Sequence, residues 1–135
     1  LLAASARLGA PIGHDFCVIN LSDNLKSWDI LKSRVIAAAK ADFVIAFYNP
    51  RSKSRKNQLS EIYDVLRKNC KRDRIVIYAN SVSTESEAIF ETTLSEADAS
   101  SVSMKTLVII GSSSTKKIRN TGYIYTPRYS GVEKN

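Results

Sequence analysis

The stretch Asp42–Arg55 reads DFVIAFYNPRSKSR. Phe43 to Tyr48 is an apolar run of strand length with no polar alternation, which predicts a strand covered on both faces. Asn49-Pro50 ends the run, and Arg51, Ser52 and Lys53 lead into what reads as a helix N-terminus. A buried strand that closes in a polar, basic turn before a helix is how functional loops reach the carboxyl edge of an open α/β sheet.

Outward from this turn the pattern repeats. Leu59, Ile62, Tyr63, Leu66 and Cys70 recur at helical spacing and predict an amphipathic helix from about Lys53 to Asn69. A basic loop, Lys71-Arg72-Asp73-Arg74, leads to a strand over Ile75–Ala79. Upstream, Phe16–Leu21 reads as a strand closed by Ser22-Asp23-Asn24. Ser27 caps a helix to about Lys40, with Asp29 in its first turn and Trp28, Leu31, Val35 and Ala38 facing the sheet. Strand, helix, strand, helix, strand argues for a parallel-rich α/β sheet. Residues 84–94 are ambiguous: Thr84-x-x-Glu87 fits a capping box, whereas Ala88–Leu94 is rich in β-branched and aromatic residues. Ser95–Asp98 fits a short helical turn, and Thr106–Ile110 is a strand ended by Gly111-Ser112-Ser113-Ser114. Tyr123–Arg128 fits part of a hairpin, and Ser130–Asn135 a frayed end.

With 135 residues, 44% of them apolar and 24% charged, the chain is one ordinary globular domain. No apolar run reaches the roughly 18–20 residues of a membrane span. Leu1–Leu8 reads as the second half of a helix, with Gly9 at its C′ position and Pro11 beyond, and lacks a signal-peptide pattern. The expectation is a fragment whose N-terminal portion is missing. Cys17 and Cys70 form no CxxC pair, which gives a metal or redox motif no support and suits buried free thiols in a cytoplasmic protein. Twenty basic against thirteen acidic residues give a net charge of +7. That balance suits a polyanionic partner (nucleic acid, a phosphate or a polycarboxylate) or simply a basic, soluble surface. A nucleic-acid-binding module is disfavoured, because the basic residues are scattered over several elements and no nucleic-acid motif is present.

Three strings, GAPIGHDFCVINLSD at Gly9–Asp23, AAAKADFVIAFYNPRSKSR at Ala37–Arg55 and TLVIIGSSSTKKI…YIYTPR at Thr106–Arg128, together resemble the tetrapyrrole methylases. Within that superfamily they are similar to the precorrin-3B C17-methyltransferase branch of cobalamin (vitamin B12) biosynthesis. The resemblance implies two α/β domains with S-adenosylmethionine and a tetrapyrrole (precorrin-3B or cobalt-precorrin-3) in the cleft between them. The family's GxGPG segment is absent here. Residues 1–13 then correspond to the end of the first domain plus a linker, and 14–135 to the C-terminal α/β domain, a mixed five-stranded sheet flanked by helices. The resemblance also makes Glu87–Thr93 a strand. A further implication is a cytoplasmic homodimer that methylates carbon-17 with ring contraction, the present fragment itself being inactive. The alternative within the superfamily is methylation at another carbon.

By the same resemblance Phe47, Tyr48, Asn49, Ser81, Val82 and Gly111 are the expected cofactor contacts. Arg51, Ser52, Lys53 and Arg128, with Arg55 nearby, are the expected partners of the macrocycle's carboxylates, a task suited to the guanidinium fork. His14, the lone histidine, is the acid–base candidate, oriented by Asp15. The pattern departs at Asn80–Glu85, which has lost the arginines and glycine of a family stretch that runs like RNAGRE.

Overall fold

The computed structural model describes residues 9–10, 12–22, 27–50, 57–80, 88–103, 105–118 and 123–127. The main body is a five-stranded sheet of β2 (Phe16–Asn20), β3 (Val44–Tyr48), β4 (Ile75–Asn80), β5 (Ala88–Thr93) and β6 (Thr106–Ile110), in the order β2-β3-β6-β4-β5. A small sheet of β1 (Gly9–Ala10), β7 (Lys116–Lys117) and β8 (Ile124–Tyr125) has the order β1-β8-β7. Two α-helices lie among the described residues, α1 (Trp28–Lys40) and α2 (Gln58–Asn69).

The mixed five-stranded sheet follows the expectation, but it is not parallel-rich. Of its pairings only β2–β3 is parallel, while β3–β6, β6–β4 and β4–β5 are antiparallel. The strand–helix–strand rhythm puts β3 and β4 in the same direction, and β6 then fills the gap between them running the other way. The ambiguous segment is a strand over Ala88–Thr93, each residue paired with β4. Its Phe90 ring lies 5.4 Å from the Tyr78 ring, centroid to centroid, a cross-strand contact that local propensity does not register.

Both faces of the sheet are covered. On one, Ile45, Phe47, Val76, Tyr78, Val108 and Ile110 pack against Leu31 and Val35 of α1 and Leu59, Ile62, Tyr63 and Leu66 of α2. On the other, Val44, Ala46, Ile77, Ala79 and Ile109 meet Ile124 of the small sheet. The run Val44–Phe47 is therefore wholly buried, as its unbroken apolar character requires. The partly buried thiols of Cys17 and Cys70 border the helical face, and burial pushes both pKa values up.

The helix ends are built from local chemistry. Ser27 Oγ accepts the Ile30 amide at 3.3 Å, as an N-cap should. At the other end of α1 the Phe43 and Asp42 amides return to Ala38 and Ala39 oxygens at 3.1 Å each, a Schellman closure with Asp42 at φ 64°. Helix α2 begins at Gln58 rather than Lys53, and residues 53–56 lie outside the described residues.

Three smaller readings become specific. Gly9-Ala10, expected as the residue past a helix end and the start of a linker, is strand β1, parallel to Ile124-Tyr125, and the expected helix over residues 1–8 lies outside the described residues. Tyr125 and Ile124 also pair with Lys116 and Lys117, so the expected C-terminal hairpin is made with β7. The turn expected at Ser95–Asp98 forms over Leu94–Glu96, the Glu96 amide donating to the Thr93 carbonyl at 3.1 Å, and a separate 3₁₀ turn follows at Ala99–Ser101, capped by the Asp98 carboxylate, which accepts the Ser100 amide at 2.8 Å. That bond holds the Asp98 carboxyl below its usual range.

Candidate functional site at the carboxyl edge of the sheet

Strand direction decides which residues share an edge. β2, β3 and β4 end together at Asn20, Tyr48 and Asn80. β6 and β5 run the other way, so Thr106 and Ala88 stand opposite Asn80 at that same edge. The segments 51–56 and 81–87 leave from it and lie outside the described residues.

The edge carries a set of neutral polar side chains. Asn20 Oδ1 accepts the Ser22 amide at 2.9 Å and Asn49 Nδ2 at 3.0 Å. Asn49 holds φ 54°, a left-handed conformation that asparagine tolerates better than most residues. Further along, the Thr106 hydroxyl donates to Asn80 Oδ1 and accepts the Ser103 amide at 2.8 Å. Ser103 Oγ accepts the Lys105 amide at 3.2 Å. Carboxamides, hydroxyls and strand-end carbonyls give this edge dipoles and no net charge.

The expected residues divide between the two ends of the sheet. Tyr48 and Asn49 sit at the carboxyl edge, with Tyr48 exposed. Phe47 is fully buried in the helical core, so only its backbone can approach a ligand. Ser81, Val82, Arg51, Ser52, Lys53, Arg55 and Arg128 lie outside the described residues. His14, Asp15 and Gly111 belong to the other end. The Asp15 carbonyl accepts the Val44 amide at the start of β3, and Gly111 follows the last residue of β6. A strand of this length spans roughly 16 Å, which separates these three from Tyr48 and Asn49.

What the far end contains is a structural tie. Arg74, its side chain almost buried, pairs with Asp42 at 3.0 Å and donates to the Gly111 carbonyl at 3.3 Å. Asp42 also receives the Ser113 amide at 2.8 Å and the Ser113 hydroxyl. At Gly111 an added Cβ would stand 2.8 Å from Thr115 Cβ. The glycine is needed for packing there. Sequence reasoning did not single out Asn20, Ser103 or Thr106. Thr106 reads as the first residue of an apolar strand, and only the reversed direction of β6 brings it to the edge where the other strands end. Among the described residues no group of three or more His, Cys, Asp or Glu is placed to hold a metal ion. No helix among them is long and apolar enough to cross a membrane.

The family model for tetrapyrrole (corrin/porphyrin) methylases matches residues 1–98. The chain belongs to the tetrapyrrole methylase family. Among curated family members it is 46% identical to the precorrin-3B C(17)-methyltransferase of Sinorhizobium sp, an alignment that covers 99% of this chain and 54% of the relative. It is 41% identical to a probable cobalt-factor III C(17)-methyltransferase of Salmonella typhimurium, over 94% of this chain and 52% of that one. The crystal structure of the methyltransferase CobJ superposes with a TM-score of 0.89 at 45% identity, covering 93% of this chain and 52% of that chain. The cobalt precorrin-4 methyltransferase CbiF, with a TM-score of 0.62 and 15% identity over 82% of this chain and 47% of its own, shares the fold. The chain thus spans about half the length of each of these four relatives.

Proposed function

We propose that this chain is the C-terminal half of an S-adenosylmethionine-dependent methyltransferase of cobalamin biosynthesis. The proposed enzyme methylates carbon-17 of precorrin-3B or cobalt-precorrin-3 with ring contraction. The observation that carries this reading is the 46% identity to a precorrin-3B C(17)-methyltransferase along 99% of the chain. On this reading residues 1–13 close the N-terminal domain and residues 14–135 form the C-terminal one. The enzyme is taken as a cytoplasmic homodimer.

When bound, S-adenosylmethionine supplies an electrophilic methyl group on a sulfonium. This chain's part is to position. The strand ends at Tyr48 and Asn49 and the amide–hydroxyl set at Asn80 and Thr106 form one wall of the cleft. Holding donor and acceptor in line supplies about 7–11 kcal/mol of such a barrier without a strong acid or base. Arg51, Ser52, Lys53 and Arg128 are proposed to meet the acetate and propionate arms of the macrocycle, with the guanidiniums pairing in bidentate fashion.

The test is methyl transfer by the full-length protein to precorrin-3B and to cobalt-precorrin-3, with the methylated position read by NMR. Methylation at carbon-17 is expected with one of the two. Transfer to a different carbon would move the protein to another branch of the family. The 135-residue chain alone is expected to bind S-adenosylmethionine weakly by calorimetry, because half of the cleft is missing. Tight binding would count against the two-wall reading.

A further inference from the structure

We propose that Asn20 is a positioning residue for the strand-end turn at Tyr48–Pro50. It ties two neighbouring strand ends into one rigid rim for the cofactor. The proposal rests on the reading of the carboxyl edge as the cofactor wall.

Asn20 is the last residue of β2 and stands directly across from Tyr48, the last residue of β3. The main-chain ladder runs one step further, the Leu21 amide donating to the Tyr48 carbonyl at 3.0 Å. Beyond that point the backbone of β3 turns away, and the Asn20 side chain takes over. Its single Oδ1 accepts from its own strand's continuation, Ser22 N at 2.9 Å, and from Asn49 Nδ2 at 3.0 Å. An Asx turn on one strand and a side-chain bridge to the next therefore share one oxygen.

The turn needs such a tie. Asn49 adopts φ 54° and is followed by a buried Pro50. A residue before proline is normally driven to extended backbone with negative φ, and a non-glycine residue in the left-handed region is strained. Two local preferences are overridden at one position, at the point where the chain departs toward Arg51. The anchor that balances them is side chain to side chain and lies at the exposed rim. Surface bonds of this kind contribute little to global stability, so their loss registers locally, in the course of the turn.

The full-length protein, titrated with S-adenosylhomocysteine by calorimetry well below its unfolding temperature, provides the test. Losing both bonds in Asn20→Ala is expected to weaken binding about tenfold, with the thermal midpoint nearly unchanged. Asn20→Asp keeps an acceptor oxygen for both donors and is expected to bind within about twofold of wild type. Asn49→Gly takes the left-handed conformation without a side-chain bridge, so adding Asn20→Ala to it should cost less than the same change in wild type. Wild-type affinity in Asn20→Ala would overturn the proposal while leaving the cofactor wall in place. So would an Asn20→Asp protein as weak as Asn20→Ala, or full additivity in the double variant. If the wild-type protein fails to bind S-adenosylhomocysteine, the reading of the wall falls, and the proposal with it.

Discussion

Replacing Asp42 separates three physical effects that meet in one residue. It sits in the left-handed C′ position after α1 at φ 64°, pairs with Arg74 at 3.0 Å and receives two hydrogen bonds from Ser113. Removing one partner of a fully buried pair costs about 3–5 kcal/mol. Here Arg74 is 8% exposed but Asp42 is 38% exposed, so solvent tempers the loss to about 1.5–3 kcal/mol. Asp42→Ala adds left-handed strain of about 1 kcal/mol, for a total of about 2.5–4 kcal/mol. Asp42→Gly loses the same contacts without that strain and should lie about 1 kcal/mol above it. Asp42→Asn keeps an acceptor for Ser113 and the tolerated conformation, so it should lose about 1–2 kcal/mol. Arg74→Met removes the buried charge and leaves a carboxylate that water can reach, so it should be milder than Asp42→Ala. Urea unfolding at neutral pH measures the series, and each kcal/mol corresponds to roughly 3–5 °C in Tm for a chain of this size. An Ala variant at least as stable as the Gly variant would refute the strain argument. An Asn variant indistinguishable from wild type would refute the charge argument.

Tyr63 and Tyr78 share a 2.6 Å hydroxyl–hydroxyl bond, and Tyr78 donates onward to the Asp98 carbonyl at 3.1 Å. Burial first, then that bond, pushes the Tyr63 pKa up, and burial raises Tyr78 as well. Both protons are held more tightly in the folded than in the unfolded state. Stability should be unaffected at neutral pH and fall once pH exceeds the unfolded value near 10, by up to about 1.4 kcal/mol per pH unit for each group. Tyr63→Phe should flatten that decline in alkaline urea titrations; an unchanged slope would refute it. Gly111→Ala forces a Cβ onto the Thr115 side chain and should cost about 1–3 kcal/mol while leaving S-adenosylhomocysteine affinity intact. Lost affinity at unchanged stability would return Gly111 to the cofactor. Arg51→Ala in the full-length protein should weaken macrocycle binding and spare cofactor binding in parallel calorimetric titrations; equal loss of both would make the loop a mere connection.

Much of the fold was legible because burial writes itself into periodicity. The spacing of Leu59, Ile62, Tyr63 and Leu66 marks the one face that α2 buries, and the unbroken run Val44–Phe47 marks a strand with two covered faces. Residues 84–94 were not legible locally, since the capping-box signal opposes the β-branched run. Pairing with β4 settled the strand, because a full ladder outweighs propensity differences of about 1 kcal/mol or less. The two-residue strand β1 carries no pattern of its own and exists through its pairing with Ile124 and Tyr125.

The site divided the same way. From its residues the sequence determined that the chain turns at Asn49-Pro50 after a buried strand, and its strings pointed to the family. The tertiary structure alone decided which residues stand beside that turn. A period of two tells a strand which face is buried, but neither its neighbour nor its direction. With β6 inserted antiparallel between β3 and β4, its first residue, Thr106, comes to the carboxyl edge and Gly111 goes to the far one, where a glycine beside Thr115 serves packing.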